Sequence, residues 1–73
     1  MITPNVCRAA RHLLGWRQEE LAERSEVGVT TIRRFERGKT TPHRATLKAL
    51  ENALEEAGIE FIDDNGLGVK LKG

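Results

Sequence analysis

The chain has 73 residues, with 12 basic and 11 acidic side chains and a formal net charge of +1. This length allows one domain, and a domain of this size buries only about 60% of the surface that its unfolded chain exposes. The single cysteine, Cys7, excludes an internal disulfide bond, and no apolar run reaches the roughly 20 residues that a membrane-spanning helix requires. Because the N-terminus also lacks a signal-peptide pattern, we expect a cytoplasmic protein.

The basic and acidic residues are separated along the chain. Residues 28–44 hold five basic side chains against one acidic side chain, a net charge of +4. Residues 51–64 hold six acidic side chains and no basic one, a net charge of −6. Because an ordinary solvated surface mixes the two signs more evenly, the first segment is a candidate anion-binding surface. The acidic segment is either a solvated face or a contact surface for a basic partner.

Two helices are predicted in the first 25 residues. The first begins at Pro4 with Thr3 as its cap, because proline suits the first helical position. It ends at Gly15, since glycine accepts the positive φ that often ends a helix. The second runs over residues 18–25. The apolar residues of the first helix recur at the spacing of one buried face, and they are Val6, Ala10, Leu13 and Leu14.

A third helix is predicted over residues 29–37, with Gly28 at its start and Gly38 after its end. At about 100° per residue, Ile32 and Phe35 point to one side of this helix. The polar residues lie on the opposite side, and they are Thr30, Arg33, Arg34 and Arg37. A basic helix face that is held outward by a buried apolar face is typical of a helix that enters the DNA major groove.

The remaining third of the chain predicts one more helix and a short β segment. The helix covers residues 44–57, with an apolar stripe and a stop at Gly58. Residues 59–63 and 69–72 have strand-like composition and flank the Asn65-Gly66 turn signal. A lone hairpin is marginal in water, so it must pack on the helices or pair with another subunit, and the alternative is a frayed tail.

The predicted fold class is therefore all-α. We expect a compact bundle of four to five helices that contains a helix-turn-helix, followed by a short C-terminal β-hairpin or strand. Residues 1–58 form the predicted DNA-binding domain. Residues 59–73 form a strand or hairpin tail, which is a candidate for dimerisation because exposed strand edges recruit partners.

The chain resembles the lambda-repressor-like helix-turn-helix family, the Cro/XRE type of bacterial and phage regulators. The resemblance covers roughly residues 6–54. Its strongest parts are the QEELA segment at residues 18–22, Thr31-Ile32, the ERGK segment at residues 36–39, Pro42, and Thr46-Leu47. The resemblance implies a sequence-specific DNA-binding regulator that binds a palindromic operator as a homodimer.

The resemblance also implies roles for individual residues. Gln18 would bond a phosphate and brace the third helix, and Arg11 and Glu36 match positions that form a buried ion pair in some family members. Base edges would be faced by Val29, Thr30, Arg33 and Arg34, and the DNA backbone by Gln18, Arg37, Lys39 and Thr40. Arginine suits base reading because its planar fork can bond guanine O6 and N7 together. The helical wheel favours Arg33 as the base reader, whereas the family alignment favours Arg34.

Three positions depart from the family pattern. Glu26 occupies the turn position that is usually glycine, which implies a changed turn or a strained one. Gly28 stands where Ser or Thr commonly caps the third helix, and glycine offers no hydroxyl there. His43 replaces a common serine cap before the fourth helix. These departures affect the expected turn geometry more than the expected fold.

The leading hypothesis is a DNA-binding transcriptional regulator, with repression as the expected mode. The alternative is an antitoxin-type module that sequesters a partner toxin and also regulates its own operator. We expect no enzyme, because the sequence shows no nucleophile–base set and no phosphate-binding glycine loop. No metal or cofactor is expected, since His12 and His43 have no cysteine or acidic cluster at ligand spacing. The expected partners are an operator duplex, a second copy of the chain and, in the alternative, a toxin, but no membrane.

Overall fold

A computed structural model describes residues 2–62 and 68–72 of the chain. In chain order its elements are α1 (Pro4–Leu14), α2 (Gln18–Ser25), α3 (Val29–Glu36), α4 (Arg44–Glu56), β1 (Ile59–Phe61) and β2 (Val69–Leu71). The predicted all-α fold with a C-terminal hairpin is confirmed. The Asn65-Gly66 turn of that hairpin lies outside the described residues. Over the described ranges, none of the helices is long and apolar enough to cross a membrane.

The local signals that define α1 act as predicted. The Thr3 hydroxyl accepts a hydrogen bond from the Val6 backbone N–H at 3.3 Å, which satisfies one of the donors left free at a helix start. Gly15 adopts the left-handed conformation (φ 70°) at the other end, and its N–H donates to the His12 carbonyl at 3.1 Å. The predicted buried face of this helix is wrong at Leu13, which is 46% exposed.

The turn between α2 and α3 is of the strained kind. Glu26 ends α2 in the left-handed conformation, with φ 60° and ψ 27°, and it is the only non-glycine residue with positive φ in the described ranges. Ser25 bridges the turn, because its hydroxyl donates to the Leu21 carbonyl at 2.6 Å and accepts from the Val27 N–H at 3.3 Å. Gly28 then caps α3 as predicted, without a side-chain hydrogen bond.

The two later helices each end one residue before the predicted position. α3 ends at Glu36 and α4 at Glu56, with Arg37 and Ala57 as their C-caps. His43 precedes α4 without a side-chain hydrogen bond to the helix. The N-terminal segment is tied to this helix, because the Ile2 N–H donates to Glu51 Oε2 at 3.1 Å.

One hydrophobic core joins all the helices and the hairpin. Its buried members are Ile2, Val6, Cys7, Ala10, Leu21, Ile32, Phe35, Leu47, Leu50, Ala53, Leu54 and Ile59. Trp16 and Val27 pack against this core from the two inter-helix turns, where they are half-buried. Burial of an apolar side chain contributes about 1.5–3 kcal/mol to the free energy of unfolding, so the buried apolar residues of α3 hold its inner face against the core.

The C-terminal hairpin packs on the helices. β1 and β2 are antiparallel, with Ile59 opposite Leu71 and Phe61 opposite Val69. β1 lies against α4 and β2 against α1. Because Ile59 is fully buried in the core, the described part of the tail is an ordered element, and the alternative of a frayed tail is wrong for it.

Candidate nucleic-acid interface

The third helix presents a polar face to solvent. Ile32 and Phe35 are buried beneath it, whereas Thr30, Arg33 and Arg34 are exposed on its outer side. The separation that the helical wheel predicts is therefore present in the fold. Three of the four residues expected to face base edges are therefore accessible to a ligand.

The outer face of α3 and the loop after it line an open cavity of about 450 Å³. Among the residues that the structure describes, this lining holds four cationic side chains and two hydroxyls. They are Thr30, Arg33, Arg34, Arg37, Lys39 and Thr40. A concave surface with this composition suits phosphate oxygens and the acceptor groups of base edges.

The chain brings the loop residues to this cavity through the end of α3. The Gly38 N–H donates to the Phe35 carbonyl at 2.9 Å, and the Lys39 N–H donates to the Arg34 carbonyl at 2.9 Å. These bonds fold the segment back onto the last turn of the helix. Lys39 and Thr40 are therefore held beside the arginines rather than directed away from them.

Two of the predicted contact residues lie outside the lining of this cavity. Val29, at the first position of α3, is half-buried. Gln18, at the first position of α2, is also half-buried, and its Nε2 donates to Glu36 Oε1 at 3.0 Å. The amide thus braces α3, which is one of the two roles expected for it. An amide nitrogen carries two N–H groups, so a second donor remains for another acceptor.

Arg11 and Glu36 form an ion pair between α1 and α3. Arg11 Nη2 lies 2.8 Å from Glu36 Oε1, and Arg11 Nε donates to Glu36 Oε2 at 3.0 Å. Both residues are buried. Arg11 Nη1 also donates to the Trp16 carbonyl at 3.0 Å, so the same guanidinium fixes the segment between α1 and α2.

Further donors from α1 surround the same end of α3. The Cys7 thiol donates to Glu36 Oε2 at 3.2 Å, and Arg8 Nη1 donates to the Glu36 backbone carbonyl at 3.0 Å. Arg8 also donates to Asn5 through Nη2. The Glu36 carboxylate therefore accepts bonds from Cys7, Arg11 and Gln18. Nothing in the sequence marks this contact of the Cys7 thiol, because the carboxylate that accepts its bond lies 29 positions away.

The ionisation of this cluster follows from its contacts. Burial alone raises the pKa of the Glu36 carboxyl, but the hydrogen bonds from Arg11, Gln18 and Cys7 outweigh that effect, so its pKa lies below the ordinary value. Burial raises the pKa of the Cys7 thiol, and the neighbouring carboxylate raises it further. The cluster therefore contains a charged carboxylate and a neutral thiol beside the Arg11 guanidinium.

One polar contact at the α3 surface was missed by the sequence reasoning. Glu19 on α2 reaches across to α3, where its Oε2 lies 3.2 Å from Arg33 Nη2. The two residues are 14 positions apart and on different helices, so no periodic pattern in the sequence marks the pair. The first turn of α2 thereby supplies a carboxylate at the edge of the cationic surface.

The comparison with known families agrees with this geometry. A family model described as helix-turn-helix matches residues 8–61, which include α2, α3 and the outer face of α3. A search of curated proteins finds no match to the chain. The matched family consists of DNA-binding regulators, and the match covers most of the chain. The chain thus belongs to the Cro/C1-type helix-turn-helix family of DNA-binding proteins.

Proposed function

We propose that this protein is a cytoplasmic, sequence-specific transcriptional repressor whose third helix reads the DNA major groove. The observation that carries the proposal is the cavity on the outer face of α3, which gathers four cations and two hydroxyls. A helix of this size fits the major groove, where each base pair presents a distinct pattern of donors and acceptors. A bound repressor then acts by occupying its operator.

The residues divide by their position around the cavity. Thr30, Arg33 and Arg34 stand on the helix itself, and we assign them to base edges, together with Val29 at its first position. Residues 37–40 lie at the end of the helix and in the loop. We assign Arg37, Lys39 and Thr40 to phosphates, because contacts to the backbone fix the orientation of the helix without reading sequence. The second N–H of the Gln18 amide is available to a phosphate beside α2.

The test begins with selection of bound duplexes from a random DNA pool. For the selected site, we expect Arg33→Ala or Arg34→Ala to weaken binding by roughly 1–3 kcal/mol and to relax the preference at one base pair. Lys39→Ala should weaken binding to all duplexes to a similar degree. It should also reduce the salt dependence of the affinity by the contribution of about one phosphate contact. Lys48→Ala is the matched control, because Lys48 is an exposed lysine on α4 that does not line the cavity.

Binding is measured by titration at several salt concentrations. If both arginine variants bind the selected site as tightly as the wild-type protein, the assignment of α3 as the reading helix is wrong. If the wild-type protein selects no sequence from the pool, the proposal of sequence-specific regulation is wrong as a whole.

We further propose that the protein binds DNA as a homodimer, with the C-terminal hairpin at the subunit contact. One module reads only a few base pairs, so two modules on a palindrome increase specificity. Within the described residues the sheet has two strands, so each strand has one edge without a strand partner. Ile62 and Leu71 are apolar side chains beside these edges, 59% and 48% exposed. Exposed strand edges and apolar side chains favour pairing with a second chain.

The antitoxin alternative has less support from the described contacts. Glu51 accepts a bond from the Ile2 N–H, and Glu60 lies 3.9 Å from Lys70, so part of the acidic segment has partners within the chain. Glu55 and Glu56 are exposed on α4. Stoichiometric co-purification of a basic partner protein, lost in Glu55→Lys, would support this second function.

A further inference from the structure

We propose that Glu19 determines specificity by positioning Arg33 for base recognition. The inference rests on the proposed reading of DNA by α3 and adds a residue on α2 to it. Glu19 touches no base in this proposal. It acts through Arg33, whose guanidinium it holds beside the cationic cavity on the outer face of α3.

The contact that supports this role joins two helices at their exposed sides. Arg33 Nη2 donates to Glu19 Oε2 at 3.2 Å, and the two side chains are 47% and 63% exposed. Arg33 also lines the cationic cavity, so the residue that Glu19 contacts borders the space that a duplex would fill. An exposed pair of this kind contributes little to folding, because solvent screens the charges and the two side chains lose rotamer freedom.

The geometry leaves Arg33 able to read a base while it is held. A guanidinium carries five N–H donors, of which the pair with Glu19 uses one. A bidentate contact to guanine O6 and N7 needs two of the other four. A free arginine loses much of its rotamer freedom when it binds, and a neighbour that restricts it beforehand reduces that cost.

The negative charge of Glu19 should weaken binding to DNA of any sequence, in contrast to the gain in specificity that its contact with Arg33 provides. A carboxylate near the phosphate backbone repels every duplex, whatever its sequence. The contact with Arg33 affects only the base pair that Arg33 reads. Loss of the Glu19 charge should therefore raise affinity for unrelated DNA and lower discrimination at one base pair, and these two changes can be measured separately.

The experiment compares Glu19→Gln with Glu23→Gln in the full chain. Glu23 is exposed one turn further along α2, and the described part of the chain gives it no ion pair. Both variants remove one negative charge from the same helix. Dissociation constants are measured for three duplexes: the selected site, a scrambled site, and the selected site with one base pair replaced. The replaced base pair is the one whose preference is lost in Arg33→Ala.

We expect both variants to bind the scrambled duplex at least as tightly as the wild-type protein. Only Glu19→Gln should lose discrimination at the Arg33 base pair, by about two- to fivefold, which is the factor that an exposed ion pair can supply. In an Arg33→Ala background, the same substitution should leave discrimination unchanged. Unfolding temperatures should stay close to that of the wild-type protein, because both glutamates are exposed.

The outcomes separate this inference from the proposed function. If Glu19→Gln retains the wild-type discrimination, the positioning role is wrong while DNA reading by α3 stands. If its discrimination increases, Glu19 competes with DNA for Arg33, and the positioning role is again wrong. If Arg33→Ala relaxes no base pair of the selected site, Arg33 does not read DNA and the inference fails with that assignment. If the wild-type protein selects no sequence, the failure lies in the proposed function.

Discussion

At the scale of single residues, Glu36 connects three helices. It lies at the end of α3, and its carboxylate accepts bonds from Cys7 and Arg11 on α1 and from Gln18 on α2. A buried charge is costly unless its hydrogen-bonding capacity is satisfied. In the described part of the chain every buried side-chain nitrogen and oxygen has a hydrogen-bond partner. The carboxylate therefore fixes the orientation of α3 relative to both of its supporting helices.

Removal of one partner of the Arg11–Glu36 pair should be strongly destabilising. We expect Arg11→Ala to lower the free energy of unfolding by about 3–5 kcal/mol, because it leaves a buried carboxylate without its cation. The double variant Arg11→Met with Glu36→Leu should lose much less, since it leaves no buried charge. Urea denaturation measures both. Equal losses in the single and the double variant would contradict this explanation.

The lowered pKa of Glu36 predicts a pH dependence of stability. Its ionised form is favoured by folding, so the contribution is complete above the unfolded pKa of about 4.3 and is lost as the pH falls through the lower folded pKa. The difference in unfolding free energy between the wild-type protein and Glu36→Gln should therefore shrink below about pH 4. Denaturation from pH 7 to pH 2 tests this expectation. A difference that stays constant over the whole range would show that Glu36 is not the titrating group.

At the scale of elements, the turn between α2 and α3 combines strain with a local bridge. Glu26 has φ 60°, a conformation that costs a non-glycine residue roughly 1–2 kcal/mol. The Ser25 hydroxyl bonds on both sides of it, to the Leu21 carbonyl and the Val27 N–H. The half-buried Val27 then packs against the core. The turn keeps its geometry because packing and these bonds outweigh the strain.

Replacement of the strained residue by glycine should stabilise the protein. We expect Glu26→Gly to raise the free energy of unfolding by up to about 1 kcal/mol, since glycine adopts positive φ without a steric cost. Glu23→Gly, in the interior of α2, should instead lower it by about 1 kcal/mol. For a domain of this size, 1 kcal/mol corresponds to a shift in Tm of roughly 4–8 °C. A lower Tm for Glu26→Gly would show that the glutamate side chain itself stabilises the turn.

At the scale of the whole molecule, the C-terminal hairpin has a structural role besides any role in assembly. Ile59 is buried among the core residues, and β2 lies against α1. Deletion of residues 59–73 would therefore remove part of the core together with the exposed strand edges. Truncation cannot separate dimerisation from folding, whereas a substitution at an exposed side chain can.

Point substitution of an exposed apolar residue on the hairpin should dissociate the proposed dimer. We expect Ile62→Lys or Leu71→Lys to shift the sedimentation profile towards the monomer, because a lysine at a subunit contact loses hydration without gaining a partner. Ala45→Lys is the control, since Ala45 is exposed on α4 and distant in sequence from the hairpin. Circular dichroism should show folded protein in all three. A profile unchanged in both hairpin variants would contradict the role of the hairpin in assembly.

Much of the fold could be predicted because its signals are local. Thr3, Pro4 and Gly15 define α1 through short-range hydrogen bonds and backbone preferences, and the period of apolar residues separates the inner from the outer face of α3. Leu13 shows the limit of this reasoning. Its spacing fits the buried stripe of α1, yet the residue is 46% exposed, because spacing alone does not determine how far neighbouring elements cover a helix.

The candidate site was predictable in part for the same reason. The sequence alone determined which residues stand on the outer face of α3 and in the loop behind it, since a helix of known period fixes the direction of each side chain. It did not determine which charged groups meet across helices. Only the tertiary structure placed Gln18 and Cys7 on Glu36, and Glu19 beside Arg33, because these contacts depend on how separate helices pack.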